Sequence, residues 1–406
     1  VGSEGTLAFL SEVTMKTEHD YPYSASAMLY FSNIKDACRA VVAMKPGPVF
    51  SAELLDKKSL ASVNDTTGTG LTAVLTETKA DTPEELQANI EEIKKILSPF
   101  KTVTPIHFTD KPEEYSKYWA IRSGIFPSVG GTRRPGTTVL IEDVAFPLKE
   151  LPEATADLQE LLVTNEYHDA CIYGHALEGN FHFIISQSFD SPEQVARYEK
   201  LMDEVKTLVV DKYDGSLKAE HGTGRNMAPF VKYEWGERAY GFMKAVKELF
   251  DPKGLLNPGV IFNEDPHCHL KHFKPMPLTN AHVDKCIECG FCEVNCLTCG
   301  FSLSSRQRIV IQREISRLKK LSDTESSERL KTLQKQYKYL GNATCAGDGL
   351  CSMSCPMGIN VGDLTHDIRQ ANLPEKSIGY KTGDFVANHF AETKSALRPV
   401  LYLANM

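Results

Sequence analysis

The 406-residue sequence has no surplus of positive charge: 45 Lys and Arg face 53 Asp and Glu, a formal net charge of −8. That balance argues against nucleic acid as a partner, because phosphate recognition needs a basic surface. No uninterrupted apolar run approaches the ~18 residues expected of a membrane span, so no spanning helix is expected. No basic stretch followed by an apolar one opens the chain, so nothing in it marks export. The glycines in G-V-I-F and G-T-R-R lack the strand and helix context of a nucleotide loop, and no NAD site is evident. Apart from one doubled cysteine pattern, there is no repeat and no low-complexity tract.

What the sequence does hold is concentrated. Hydrophobic content of 42% and charged content of 24% are ordinary for a globular chain, and the length allows two or three cores. Eight of the eleven cysteines fall between Cys286 and Cys355. The first set reads C-I-E-C-G-F-C-E-V-N-C, with Cys286, Cys289, Cys292 and Cys296. The second reads C-A-G-D-G-L-C-S-M-S-C-P, with Cys345, Asp348, Cys351 and Cys355, each 59 positions after its counterpart. A C-x2-C-x2-C-x3-C run suits cubane iron–sulfur clusters: three close thiolates cap one cluster and the fourth ligates the other. The usual crossover gives cluster one Cys286, Cys289, Cys292 and Cys355. Cluster two takes Cys296, Cys345 and Cys351, leaving Asp348 where a thiolate would stand. The second site is then a 4Fe–4S cluster with a labile, Asp-ligated iron, or a 3Fe–4S cluster. Two structural zinc sites are the competing reading, but three cysteines in C-x2-C-x2-C would crowd one zinc. Such clustering points to metal ligands in a reducing compartment, hence a cytoplasmic protein or one peripheral at the inner membrane. Cys299, Cys38, Cys171 and Cys268 are expected as packing residues.

Around this module the periodicity changes. Ala27–Phe31, Leu71–Thr76, Thr138–Phe146, Ala170–Tyr173 and Phe181–Ile185 read as strands. Thr82–Leu97, Pro112–Ile121, Glu150–Leu162, Pro192–Val209 and Glu237–Leu249 have helical spacing, with Thr82 as cap and Pro83 at the first helical position. The mixture predicts an α+β layer with helices on a largely antiparallel sheet. His267–Pro277 reads as a linker and Ser304–Leu340 as a charged pair of helices between the cysteine sets. Lys319–Lys331 is expected to be solvated. From Glu375 onward periodicity is lost. The text begins at Val1, mid-phrase, and reads as a fragment of a longer polypeptide.

A second constellation lies upstream. Residues 172–184 read I-Y-G-H-A-L-E-G-N-F-H-F-I, two apolar strands around a turn in which Gly179 can take positive φ. In a hairpin, His175 and His182 would sit at facing strand ends, close enough to share an ion. A-E-H-G-T-G-R supplies Glu220 and His221 ahead of two glycines. Two imidazoles and a carboxylate with open positions form a common catalytic zinc arrangement, with Mn or Fe as alternatives. Satisfied core or turn histidines are the competing reading, and spacing alone does not choose.

Four motifs occur in one order: V-G-S-E-G-T-L at the start, G-H-A-L-E-G-N-F-H at Gly174–His182, A-E-H-G-T-G-R at Ala219–Arg225, and F-D-P-K-G-L-L-N-P-G at Phe250–Gly259. In these the chain resembles the C-terminal half of FAD-linked oxidases related to vanillyl-alcohol oxidase. The branch is that of D-lactate, glycolate and D-2-hydroxyglutarate dehydrogenases. The fusion resembles large bacterial members that carry flavin and iron–sulfur domains together. The resemblance implies an antiparallel-sheet, ferredoxin-like substrate (cap) domain followed by an all-α dicluster domain. It divides the chain into 1–15 (end of the FAD-binding domain), 16–265 (substrate and metal domain), 266–278 (linker), 279–370 (dicluster domain) and 371–406 (tail or link to a further domain).

It also implies roles. His175, His182 and Glu220 would hold a divalent metal, zinc first, and His221 would be the general base. Arg122, in Y-W-A-I-R-S-G, would hold the substrate carboxylate. Gly2, Ser3, Gly5 and Thr6 would supply one strand edge of the FAD site and Asn257 the return to the flavin. The phosphate-binding loop of this family lies upstream of Val1, so the chain alone is expected to hold FAD weakly. One departure concerns the substrate: Ile141 stands where the family has a lysine two residues before Asp143, so a carboxylate contact is missing or comes from Arg133 or Arg134. The implied reaction oxidises a D-2-hydroxy acid, D-2-hydroxyglutarate or D-lactate, with electrons passing through both clusters to a quinone, flavoprotein or cytochrome. The alternative is an electron-transfer subunit whose first domain binds a metabolite without oxidising it.

Overall fold

The computed structural model describes residues 2–63, 70–373 and 377–404; expectations placed on Val1 and Glu375 lie outside them. The chain divides into two compact units, Val1–Pro277 and Leu278–Met406.

The first unit runs β1 (Tyr23–Phe31), α1 (Ile34–Met44), β2 (Ser51–Leu55), α2 (Lys57–Ser62), β3 (Thr72–Ala80), α3 (Pro83–Leu97), α4 (Pro112–Thr132), β4 (Thr138–Ala145), α5 (Leu151–Thr164), β5 (Cys171–His175), β6 (Asn180–Gln187), α6 (Pro192–Lys206) and α7 (Ala228–Phe250). The strands form one sheet in the order β1-β3-β2-β5-β6-β4, with every pairing antiparallel. Alternation along the strands gives each face its own core. On one face Val74, Leu54, Ile172, Phe181 and Phe183 meet α1, α3, α5 and α6. On the other, Leu55, Leu75, Tyr173 and Ile184 meet Ile125 and Val129 of α4. This is the α+β architecture, with helices on an antiparallel sheet.

Local chemistry explains most boundaries. Thr82 caps α3 by accepting from the Glu85 N–H, with Pro83 in the first turn. The sequence pattern stops α4 at Ile121, yet the helix continues to Thr132 through Gly124 and Pro127. Burial of Ile125 and Val129 against the sheet outweighs the poor propensity of those residues. β2 and α1 went unread because neither shows strong alternation or a long helical stripe. α7 starts earlier than its periodicity suggests and is broken at Gly236, where φ is 75°. His267–Pro277 is not loose: Phe273 stacks on Phe189 at 3.8 Å and joins the core.

In the second unit, α8 (Ser305–Leu318) and α9 (Thr324–Tyr337) separate the two cysteine turns, and α10 (Val361–Ala371) follows them. A capping box of Ser304 and Gln307 starts α8. Beyond Ser377 the chain is helical, as α11 (Ile378–Asn388) and α12 (Phe390–Ala404), where lost periodicity suggested a tail; no residue of either is buried. Among the described residues no helix is long and apolar enough to cross a membrane.

Candidate functional site

Cross-strand register assembles the first site. Glu53 on β2 is opposite His175 on β5; Tyr173 on β5 is opposite His182 on β6; His182 is opposite Asp143 on β4. All five side chains therefore share one face of the sheet, the face covered by α4. Two glycines shape the hairpin between the histidines. Gly179 closes the turn with φ 73°, and a Cβ there would lie 2.3 Å from the Phe146 carbonyl oxygen. Gly174 has φ 149°, and a Cβ there would lie 2.8 Å from the Asn180 carbonyl oxygen.

Glu220 arrives from the loop after α6 and meets both imidazoles. Its Oε1 lies 3.1 Å from His175 Nε2 and 3.1 Å from His182 Nε2. Donors about 2.0–2.1 Å from a tetrahedral zinc lie about 3.3 Å apart, so this set fits a divalent ion. The His221 ring stacks on His182, centroids 4.5 Å apart and planes within 2°. His221 Nε2 lies 3.7 Å from the same Glu220 oxygen. The structure thus brings His175, His182, Glu220 and His221 into one group.

Two buried carboxylates back this group, and sequence reasoning gave neither a role. Glu53 accepts from His175 Nδ1 at 2.5 Å and from Arg122 Nε at 2.7 Å. Burial opposes its ionisation, but His175 and Arg122 outweigh that and hold it below the ordinary carboxylate range. In return the Glu53 hydrogen bond raises the His175 pKa. Asp143, fully buried, accepts from the backbone N–H groups of Ala219, Glu220 and His221 at 2.9, 2.7 and 3.0 Å. Its other oxygen takes the Asn180 amide at 2.6 Å and lies 3.3 Å from His182 Nδ1, without the alignment of a hydrogen bond. Burial works against this charge too, yet His182, the N–H groups and Asn180 hold the carboxyl far below its usual range. Asp143 thereby fixes the loop that presents Glu220 and His221. Burial pushes the His221 imidazole pKa down, which favours its neutral form.

Arg122 lies over the Tyr173 ring, 4.7 Å from the centroid, with its Nε held by Glu53. Ile141 packs with the α4-side core. Arg133 and Arg134 are not brought to the site. They line a cavity of about 530 Å³ with Cys171 and Ser186, each four residues along its strand from His175 or His182, about 13 Å at strand rise. Arg133 is turned inward to the Gly130 and Thr137 carbonyls at the end of α4. The substitute contact expected from these arginines is therefore not made here.

Residues 2–6 form a second assembly with Asn257. Gly2 and Gly5 take positive φ, and a Cβ at Gly2 would meet nothing within 4 Å, which leaves an open backbone edge suited to a ligand. Thr6 is buried and donates to the Ser3 carbonyl at 2.7 Å, so it builds the turn instead of facing outward. The Asn257 amide donates to the Glu4 carbonyl at 2.6 Å, and the Glu4 carboxylate accepts from the Thr223 and Gly224 N–H groups. Lys247 donates to the Thr6 and Leu256 carbonyls and pairs with Asp251, tying this turn to the loop that carries Asn257. Beside it, Trp235, Phe242, Met243 and Phe262 line an apolar cleft of about 750 Å³.

In the second unit, Cys296, Cys345, Asp348 and Cys351 line one cavity. Cys286, Cys292 and Cys355 pack in one cluster with Val283 and Ile309, while Cys289 is exposed. Burial lifts the Cys286 thiol to about 11. Cys296 goes the other way: burial opposes ionisation, but Thr298, the Ser305 N–H and Arg308 together lower its pKa. Asp348 accepts from the Leu350 N–H at 3.1 Å. Cys38 and Cys171 are buried in the first unit, as packing residues would be.

Comparisons with known proteins agree with this two-part organisation. Residues 282–359 match the 4Fe-4S dicluster domain, which implies 4Fe–4S clusters. A mitochondrial D-lactate dehydrogenase (cytochrome) of Arabidopsis thaliana is 30% identical over 281 residues, covering 66% of this chain and 47% of the relative. Glycolate oxidase subunit GlcD of Bacillus subtilis is 26% identical, covering 65% and 56%. GlcD of Escherichia coli K12 is 28% identical, covering 64% and 52%. The chain thus spans about half the length of the curated relatives it matches. Residues 22–261, more than half of the sequence, match the FAD linked oxidases, C-terminal domain, and the chain belongs to that family.

Proposed function

We propose that the chain serves FAD-dependent oxidation of a D-2-hydroxy acid to the 2-oxo acid, with electrons passed through two iron–sulfur clusters to an acceptor other than NAD. D-2-hydroxyglutarate or D-lactate is the substrate. The observation that carries this reading is the convergence of His175 Nε2 and His182 Nε2 on Glu220 with His221 stacked alongside. Support comes from relatives named as D-lactate dehydrogenases and glycolate oxidase subunits.

His175, His182 and Glu220 would hold a divalent ion, and Gly2, Ser3, Gly5, Thr6 and Asn257 would border FAD. When bound, the ion polarises the substrate hydroxyl and the flavin accepts the hydride. The chain's own residues do the rest. Arg122, oriented by Glu53, offers its guanidinium edge to the substrate carboxylate. His221, neutral because burial lowers its pKa, takes the hydroxyl proton at Nε2. Asp143 keeps the Glu220–His221 backbone from moving as that proton transfers. In the second unit, the site with Asp348 holds either a 3Fe–4S cluster or a 4Fe–4S cluster with one weakly held iron.

The test uses a polypeptide spanning the relatives' full length, loaded with FAD and metal, and a panel of D-2-hydroxy acids followed by dye reduction. His221→Ala is expected to lose at least a hundredfold in flavin reduction while retaining metal. Near-normal reduction removes His221 as base, and no turnover of any hydroxy acid by the wild type removes the reaction.

A further inference from the structure

Arg308 has the bulkiest fully buried side chain of the described residues, 1% exposed, and lies inside the iron–sulfur unit. Its Nε donates to the Gly341 carbonyl at 2.6 Å. Nη2 donates to the hydroxyls of Thr298 and Thr344, each at 3.0 Å, and Nη1 points at Cys296 Sγ, 3.6 Å away. Every oxygen in this set is neutral. Among the described residues no carboxylate lies within ion-pair distance of the guanidinium. A buried ion without a counter-charge costs several kcal/mol, so the anion it answers to is the Cys296 side of the cavity shared with Cys345, Asp348 and Cys351.

The other cysteine set has a buried arginine in a different role. Arg313 pairs with Glu288 at 2.5 Å and donates to the carbonyls of Asp284 and Cys286. Its charge is balanced by a carboxylate and its hydrogen bonds go to backbone oxygen. One cluster site therefore feels a cation aimed at a ligand sulfur, and its neighbour feels a neutralised pair. Reduction adds one negative charge to a cluster. Potentials follow net charge and hydrogen bonds to the sulfurs.

We infer that Arg308 holds the cluster at Cys296, Cys345 and Cys351 at a higher reduction potential than the cluster at Cys286, Cys289 and Cys292, making it the electron-accepting end of the pair. One electron leaves the reduced first cluster and enters the oxidised second; the first, oxidised again, takes the next. A two-electron oxidation crosses the unit in two such steps. This rests on the proposed pair of clusters, and Arg308 acts as a positioning residue through Cys296.

The experiment is an EPR-monitored redox titration of the whole chain, reconstituted anaerobically with iron and sulfide. Wild type, Arg308→Gln and Arg308→Lys are compared, with Cys289→Ser marking the first cluster's signal. Arg308→Gln is expected to lower the second cluster's midpoint by a tenfold change in its one-electron equilibrium, 59 mV, leaving the first unmoved. Unchanged midpoints, or a shift confined to the Cys289-sensitive signal, overturn the inference. If Arg308→Gln does not assemble that cluster, Arg308→Lys decides: a lowered midpoint supports the inference and a wild-type midpoint overturns it. Loss of the cluster from both variants makes Arg308 an assembly residue and overturns it as well. Wild-type protein with no cluster signal instead defeats the two-cluster reading beneath it.

Discussion

Glu53→Gln removes one charge and no volume from the support of the histidine site. Glu53 is 5% exposed and joins His175 Nδ1 to Arg122 Nε. An anion behind a metal-binding imidazole fixes its tautomer and ring orientation and makes its other nitrogen a better donor. Losing such a partner costs 10–100-fold in metal affinity, about 1.4–2.7 kcal/mol. The amide can still accept from Nδ1 but no longer answers the guanidinium. Stability of the metal-free protein should therefore fall by about 1–3 kcal/mol, the cost of a buried charged hydrogen bond left half made. Zinc affinity is read by competition with chelators of graded strength, and stability by denaturant unfolding in excess chelator. Arg122→Ala is the control: it breaks the other half of the same link without touching His175, and should leave zinc affinity within a few-fold. Wild-type zinc affinity in Glu53→Gln refutes the reasoning. Equal losses in both variants do so too, because the effect would then be general loosening.

Asp143→Asn should destabilise the first unit by about 2–4 kcal/mol, since part of a charged acceptor for three backbone N–H groups is lost; a denaturant midpoint within error of wild type counts against it. The Asp251 carboxyl is held down to about 2 by Lys247 and by the Leu256 and Leu255 N–H groups. Its folded pKa lies below the unfolded one, so its contribution is present above pH ~4 and lost as pH falls toward 2. The Tm gap between wild type and Asp251→Asn should hold from pH 5 upward and shrink below pH 4; a gap unchanged at pH 2.5 rejects this. Asp348→Cys should convert the second site's EPR signal to that of a four-thiolate 4Fe–4S cluster, and an unaltered spectrum makes Asp348 a bystander.

Much of the site was legible because its chemistry is local in sequence. His175 and His182 flank one turn whose glycine marks the hairpin, and the doubled cysteine spacing survives any uncertainty about helices. What escaped was long-range. Glu53 sits in S-A-E-L-L, a short strand without alternation, and its partners are 69 and 122 positions away. Nothing nearby in the sequence marks it as buried. Arg308 lies in S-R-Q-R-I, which looks solvated, yet it is enclosed when α8 packs against the turns at Thr298 and Gly341. Asp143 was visible only as a landmark beside Ile141. Its three N–H donors belong to residues more than seventy positions later, so its role emerges only from the folded loop. Arg133 and Arg134 were close in sequence to the substrate strand and still ended on the wrong end of the sheet.

The row from Glu53 through His175 and His182 to Asp143 crosses four strands that the chain visits out of spatial order. A slip of one residue in any pairing would turn that strand's contribution onto the opposite face of the sheet. Correct alignment is thus checked at a polar seam as well as by greasy side chains. An ion seated there would act as a late proofreader: misaligned chains lack a pocket for it, while aligned ones are clasped once it arrives. Metal supply during folding, and not only during turnover, should then govern how much well-formed protein accumulates.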